Sequence, residues 1–263
     1  MAIERDPNFP SDLDIQPLAS ASSDADARFD SVAQEGAIRT YGIAGRIWEA
    51  SHAMLAYLDP ESVMDFDPLP PTTTSPDSRH DITAIELGSG TGELGLQEVH
   101  ATSRRYPTHI LCSDLIYFPA LLAPLLRSLL HLTSPPFVDE ASQKPAVVIL
   151  SYKMRSLVKE TPFWTAFGLW FQFEPVLAKR RRNASSKEYH GEIEEGQLWT
   201  RFSPGDPTDE TFVLVARRRP ESLKWTIPEE DPPLLSGVGA YLSDLPKSDD
   251  QFEQLLLMGT DLS

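Results

Sequence analysis

The feature that most constrains the fold is a short apolar run that leads straight into a glycine-rich turn. Residues 82–87 (ITAIEL) are followed by Gly-Ser-Gly-Thr-Gly. The run predicts a buried strand, and alternate glycines allow a sharp turn and a close approach of the backbone to a ligand. The spacing differs from the G-x-G-x-x-G dinucleotide pattern and lacks the Lys-Ser/Thr ending of a phosphate-binding loop. We expect a ligand-holding strand-to-helix turn, and the alternative is a glycine turn that binds nothing.

Strands and helices alternate along the rest of the chain. This order, with continuously apolar strands, predicts a doubly wound α/β fold with a largely parallel sheet covered on both faces. Ligands of such sheets bind beyond the carboxyl ends of the strands. The predicted elements are a helix within 39–58, a loop over 65–80, strands over 82–87, 108–116, 146–152, 171–178 and 211–217, and helices from 91 or 93 to 103, over 119–132 and over 160–169.

Composition divides the chain into three parts. Residues 1–36 are rich in Asp, Ser, Ala and Pro, which predicts a disordered arm. Residues 37–220 form the predicted domain, including a polar loop over 183–208. Residues 221–263 are a tail whose end is apolar, and we expect this tail to pack on the domain, with a partner-binding helix as the alternative.

Charge and cysteine content narrow the class of function. The formal net charge is −16, which disfavours a nucleic-acid substrate and suits a basic protein partner. A single cysteine, Cys112, and the absence of an apolar leader or a long apolar span predict a cytoplasmic protein, with the nucleus as a further location. The basic run at residues 179–182 is a solvated hairpin end or a docking or nuclear signal. The six histidines show no metal-ligand spacing, so no metal site is predicted.

Five segments taken together resemble the methyltransferase-16 family of class I S-adenosylmethionine-dependent protein-lysine methyltransferases. They are GIAGRIWEASHAMLAYL, IELGSGTGELGL, SDLIYFPALLAPLLRSL, AVVILSYKMRS and ETPFWTAFGLWFQFEPV, in that order. The third of them contains a D-x-x-Y motif. The resemblance covers about residues 38 to 220, and it implies a Rossmann-like methyltransferase sheet with S-adenosylmethionine as cofactor.

The resemblance also implies roles for individual residues. Those that would bind the cofactor are Trp48, Glu86, Gly88, Ser89, Gly90, Gly92 and Ser113. Asp114 and Tyr117, the D-x-x-Y pair, would line the acceptor-lysine pocket as catalytic residues. Lysine attacks only as the neutral amine, and its unperturbed pKa is about 10.4, so such a pocket must orient the amine and help it lose a proton. The alternatives are a strand-end cap for Asp114 and core packing for the aromatic residues.

The spacing departs from the family at one place. Only 21 residues lie between Gly92 and Asp114, where the family has two further strands with their helices. We therefore expect a shortened sheet without strands 2 and 3, in the order 1-4-5-7-6 when numbered as in the complete fold. The first strand would then be an exposed edge. The missing part would carry the acidic residue that binds the cofactor ribose and much of the adenine pocket.

The predicted function is methyl transfer from S-adenosylmethionine to a lysine of a protein substrate. Two alternatives stay open at this stage. One is a catalytically silent methyltransferase-fold binding protein or a truncated form, and the other is a small-molecule N-methyltransferase, because a fold does not decide its substrate.

Overall fold

The computed structural model describes residues 16–17, 31–73, 82–90, 106–138, 143–181, 198–203 and 210–260. These residues form six α-helices and two sheets. The helices are α1 (Ser31–Tyr41), α2 (Glu49–Leu58), α3 (Pro119–Leu132), α4 (Leu157–Trp170), α5 (Asp231–Leu235) and α6 (Gln251–Thr260). The strands are β1 (Met64–Asp67), β2 (Ala84–Leu87), β3 (His109–Ser113), β4 (Val147–Lys153), β5 (Phe171–Pro175), β6 (Leu177–Arg180), β7 (Thr200–Arg201) and β8 (Thr211–Arg218).

The main sheet has five strands in the order β2-β3-β4-β8-β5. Strands β2, β3 and β4 are parallel, and β8 runs antiparallel to both of its neighbours. This is the order 1-4-5-7-6 that the sequence predicts, and the α/β class is confirmed. Within the described part of the chain, β2 pairs only with β3. The predicted helix between these two strands lies in residues 91–105, outside the described residues.

Alternate residues of the central strands pack on opposite faces of the sheet. Val148 and Leu150 belong to a core that includes α3, α4 and the tail, whereas Ile149 belongs to a second core under α2. The first core is rich in aromatic rings. Phe252, in α6, stacks on Trp164 of α4 with their ring centroids 4.2 Å apart, so the tail lies against the body of the domain.

The segment predicted as one helix over 39–58 is two helices, which corrects the prediction. A 3₁₀ turn, Gly42–Gly45, follows α1, and the chain is extended at Trp48 before α2 begins. A Cβ on Gly45 would lie 2.2 Å from the backbone of Ala37, so this close approach requires a glycine. The break turns Trp48 out of the helix and towards the carboxyl ends of the strands. The apolar spacing predicts one buried face of this segment, and three of its positions, Ala50, Met54 and Leu58, are buried in α2, whereas Leu55 is partly buried.

Three other boundaries differ from the predictions. Residues 31–36, assigned to the disordered arm, are helical in α1, and β1 lies at the start of a predicted loop. The strand predicted over 171–178 divides after Pro175 into β5 of the main sheet and β6, which pairs with β1 and β7 in a small antiparallel sheet. Pro175 contributes no backbone N–H to either sheet. None of the helices in the described ranges is long and apolar enough to cross a membrane.

Candidate functional site

The glycine turn at the end of β2 adopts a conformation that requires glycine. Gly88 and Gly90 both have positive φ, +66° and +50°. A Cβ on Gly88 would lie 2.3 Å from a side-chain carbon of Leu115, and one on Gly90 would lie 3.2 Å from the carbonyl oxygen of Ala44. The turn therefore sits tightly between the end of β3 and the segment before α2. Gly92, a predicted cofactor-binding residue, lies outside the described residues.

The end of β3 is held by hydroxyl groups from two neighbouring elements. The Ser113 hydroxyl lies 3.0 Å from that of Ser51 in α2 and accepts a hydrogen bond of 3.1 Å from Ser151 in β4. The next residue, Asp114, has a positive φ of 57°, and its N–H donates to the Ser151 carbonyl at 2.8 Å. Few residues other than glycine adopt this left-handed conformation, and Asp is one of those found there most often. At Asp114 it places the side chain in the lining of the site.

Two aromatic rings form one wall of the site. The Trp48 and Tyr117 rings are stacked, with their centroids 6.5 Å apart. The Trp48 indole N–H donates to the Ile43 carbonyl at 3.3 Å, which holds its ring. Burial raises the pKa of Tyr117, the negative charge of Asp114 raises it further, and the Arg155 cation opposes both. Tyr117 is therefore a neutral phenol at physiological pH.

The Asp114 carboxylate is paired with a residue that the sequence interpretation did not single out. Arg155, just beyond β4, donates from Nη1 to Oδ1 of Asp114 at 2.7 Å and from Nη2 to Oδ2 at 2.5 Å. Burial disfavours the charge of Arg155, but its hydrogen bonds to Asp114 and the charge of that residue outweigh burial and raise its pKa. A cation two residues after a strand adjacent to β3 is the sequence signal that could have identified this pair.

A second guanidinium also borders the aromatic wall. Arg46 lies with its central carbon 4.4 Å from the Trp48 ring centroid, and Arg155 lies 5.2 Å from the same centroid. Arg46 is paired with Glu49 at 2.8 Å. The Trp48 ring can therefore hold a positive charge, because cations within about 6 Å of an indole centroid are attracted to its face.

These groups surround one cavity of about 170 Å³. Eight of the nine predicted site residues line it: Trp48, Glu86, Gly88, Ser89, Gly90, Ser113, Asp114 and Tyr117. The sequence interpretation missed six further lining residues, which are Ile43, Ala44, Arg46, Ile47, Ser51 and Leu115. Three loops meet here, from β2, from β3 and from the segment before α2, as expected at the carboxyl edge of a parallel sheet.

One family of known proteins matches part of the chain. The family model described as lysine methyltransferase matches residues 31–108, which run from the start of α1 to the residue before β3. The match includes Trp48 and the glycine turn, and it ends before the D-x-x-Y motif. No curated protein matches the chain. Over residues 31–108 the chain is thus similar to the methyltransferase-16 family of lysine methyltransferases, as its motifs predict.

Proposed function

We propose that the protein is an S-adenosylmethionine-dependent methyltransferase that modifies a lysine side chain of a protein substrate. The observation that carries this proposal is the single cavity that brings the glycine turn of β2 together with the D-x-x-Y residues and Trp48. These elements come from three separate stretches of the sequence. The lysine methyltransferase family match covers Trp48 and the glycine turn but not the D-x-x-Y residues. The presence of these residues in the same cavity therefore supports the proposal independently of the match.

The residues around the glycine turn fit the proposed cofactor. Gly88 and Gly90 line the cavity without side chains of their own, and the Glu86 carboxylate at the end of β2 suits a ligand with hydroxyl and cationic groups. Glu86, Gly88, Ser89, Gly90 and Ser113 would hold S-adenosylmethionine, and Trp48 would pack on its methionine end. When bound, the cofactor would supply an electrophilic methyl group. Gly92 stays a predicted contact.

The other side of the cavity suits an amine acceptor. Asp114 and Tyr117 would orient the amine, and the face of Trp48 would attract its cationic form. Lysine must lose a proton before it attacks, and a neutral phenol such as Tyr117 can accept or donate a hydrogen bond while holding the nitrogen in line. Most of the rate would come from this proximity and orientation.

The overall charge supports a protein substrate with basic surroundings. The net charge of −16 attracts cationic partners and repels nucleic acid. A cytoplasmic location, with the nucleus as a further one, is part of the proposal. It is supported by the single cysteine, Cys112, which is free and buried in β3.

The test is a calorimetric titration of the 263-residue chain with S-adenosylhomocysteine, followed by transfer of labelled methyl groups to proteins and to small amines. We expect micromolar binding and label on protein lysines. Label confined to small amines would favour a small-molecule N-methyltransferase. A folded, monodisperse sample that does not bind the ligand would contradict the proposal and favour a silent methyltransferase-fold protein.

A further inference from the structure

The Asp114 carboxylate, which lines the cavity, is already paired with a cation, the side chain of Arg155. Both oxygens of Asp114 accept hydrogen bonds from its two terminal nitrogens, at 2.7 Å and 2.5 Å. Paired bonds of this kind between charged groups are among the strongest that proteins make. The Asp114 side chain is 2% exposed, so solvent hardly competes for it. An ammonium group would therefore meet a carboxylate whose two oxygens are already engaged.

The backbone of Arg155 is anchored, while its side chain is partly exposed to solvent. The N–H groups of Arg155 and Ser156 donate to the Glu160 carboxylate at 3.4 Å and 3.2 Å. Glu160 is 1% exposed and also accepts a hydrogen bond from the Tyr152 hydroxyl. The Arg155 side chain itself is 32% exposed. Displacing its guanidinium towards solvent would break the pair with Asp114 and a hydrogen bond of 3.1 Å from Nη1 to the Lys153 carbonyl, while the backbone bonds to Glu160 could stay in place.

We propose that Arg155 is a specificity-determining residue that occupies the cation position of Asp114, so that an acceptor ammonium gains this carboxylate only by displacing the guanidinium. The inference rests on the proposed function, which assigns Asp114 to the acceptor pocket. It adds a selection step to that function, because every acceptor cation must compete with the Arg155 guanidinium for the Asp114 carboxylate. Weakly held cations are then excluded, and an acceptor anchored by further contacts is favoured.

The Arg155 guanidinium also occupies the face of the Trp48 ring, which an acceptor cation would need. Arg155 lies over this ring as well as beside Asp114, with 5.2 Å from its central carbon to the ring centroid. One guanidinium thus contacts both the Asp114 carboxylate and the face of the Trp48 ring. Among the described residues, Arg46 also lies over this ring and has its own carboxylate partner in Glu49, so removal of Arg155 leaves Asp114 without that competitor.

A purely structural role for Arg155 makes a different prediction. The pair joins the ends of β3 and β4, so a structural role predicts that Arg155→Gln lowers the unfolding temperature and leaves the affinity for cations unchanged. The proposed role predicts a gain of cation affinity. The two are separated by a binding measurement that requires neither cofactor nor methyl transfer.

The experiment titrates n-butylammonium chloride, which resembles a lysine side chain, into protein labelled with ¹⁵N-tryptophan. The Trp48 indole signal reports binding and is assigned with Trp48→Phe. We expect Arg155→Gln to bind the amine at least about tenfold more tightly than the unsubstituted protein, since contacts to charged groups act on this scale. The Asp114→Asn/Arg155→Gln double variant should lose this gain, and neutral n-butanol should show none.

Arg217→Gln is the matched control. Arg217 pairs with Glu174 at 3.0 Å, and both side chains are 55% exposed, so this substitution frees a carboxylate outside the cavity and should not change the Trp48 signal. Arg155→Lys keeps the positive charge but loses the paired geometry, and should tighten binding by a smaller factor. It provides the test if Arg155→Gln does not fold.

Equal amine affinity in the unsubstituted protein and in the folded Arg155 variants would overturn the inference. This result is independent of the proposed function, which depends on binding of S-adenosylhomocysteine. A protein that binds the cofactor product while its Arg155 variants gain no amine affinity would retain the function and lose the inference. A protein that does not bind the cofactor product, but whose Arg155 variants gain amine affinity, would support the competition between cations and contradict the proposed enzyme activity.

Discussion

The two ends of the parallel strands carry cavities of opposite character. The cavity at the carboxyl ends is about 170 Å³ and is bordered by carboxylates, hydroxyls and a positive-φ glycine turn. The cavity at the amino ends is larger, about 270 Å³, yet it contains none of the predicted site residues. Its lining is Tyr57, Pro68, Leu69, Pro70, Pro71, Thr73, Ile82, His109, Val147, Ile149, Val215 and Arg217. Volume alone therefore does not identify a site in this fold.

The difference lies in how the polar groups of each end are used. At the amino end, the Tyr57 hydroxyl donates to the Pro68 carbonyl at 3.1 Å, and His109 lies 2.9 Å from the Thr108 hydroxyl. The Tyr57 bond joins α2 to a proline-rich segment. At the carboxyl end, Gly88 and Asp114 both have positive φ and line the cavity, and the Asp114 carboxylate is paired with Arg155. A residue other than glycine that is held at positive φ is typical of functional sites.

The strongest test of this contrast is Gly88→Ala at the carboxyl end. We expect S-adenosylhomocysteine to bind at least about 100-fold more weakly, because alanine at positive φ is strained and its Cβ would lie 2.3 Å from Leu115. Calorimetry measures the affinity. Gly36→Ala in α1 is the matched control, since nothing lies within 4 Å of a Cβ there. Equal affinities in the two variants would mean that the turn does not hold the cofactor.

A second test concerns the pH dependence of stability at the amino end. Burial lowers the pKa of His109 to about 4, and the Arg217 cation contributes in the same direction. In the unfolded chain the pKa of this histidine is about 6.5, so between about pH 6.5 and 4 the unfolded chain binds a proton that the folded chain does not. The contribution of neutral His109 to the free energy of unfolding is therefore lost as pH falls from about 6.5 to 4. The loss is at most about 1.4 kcal/mol per pH unit. His109→Asn should remove it in urea unfolding measured across this range. Parallel stability curves for the two proteins would contradict the assignment.

The smallest expected effect is that of Tyr57→Phe. Loss of the hydrogen bond to Pro68 should lower the free energy of unfolding by about 1 kcal/mol and leave cofactor affinity unchanged. Tyr41→Phe is the control, because the Tyr41 side chain is on the surface. A marked loss of S-adenosylhomocysteine binding in Tyr57→Phe would mean that the two ends of the sheet are not independent.

Several elements could be predicted from sequence because their signals are local. The helix Pro119–Leu132 begins and ends at the predicted residues, since a proline starts it and an apolar face runs through it. Strands β3, β4 and β8 fall within a few residues of their predicted positions. The helix over 39–58 was predicted as continuous because its apolar spacing persists, whereas the close packing of Gly45 on Ala37, which breaks it, is a tertiary contact.

The sequence by itself determined the α/β class and the nature of the residues around the cavity, because apolar periodicity, turn chemistry and motif spacing are local signals. The order of the main strands was predicted from the resemblance of its motifs to a known family. Only the tertiary structure decided that Trp48 leaves its helix to stack on Tyr117, and that Asp114 is paired with Arg155, 41 positions further along the chain. Such contacts depend on which strand ends become neighbours and on how side chains share the space there. No local pattern contains that information, because it is set by the packing of the whole sheet.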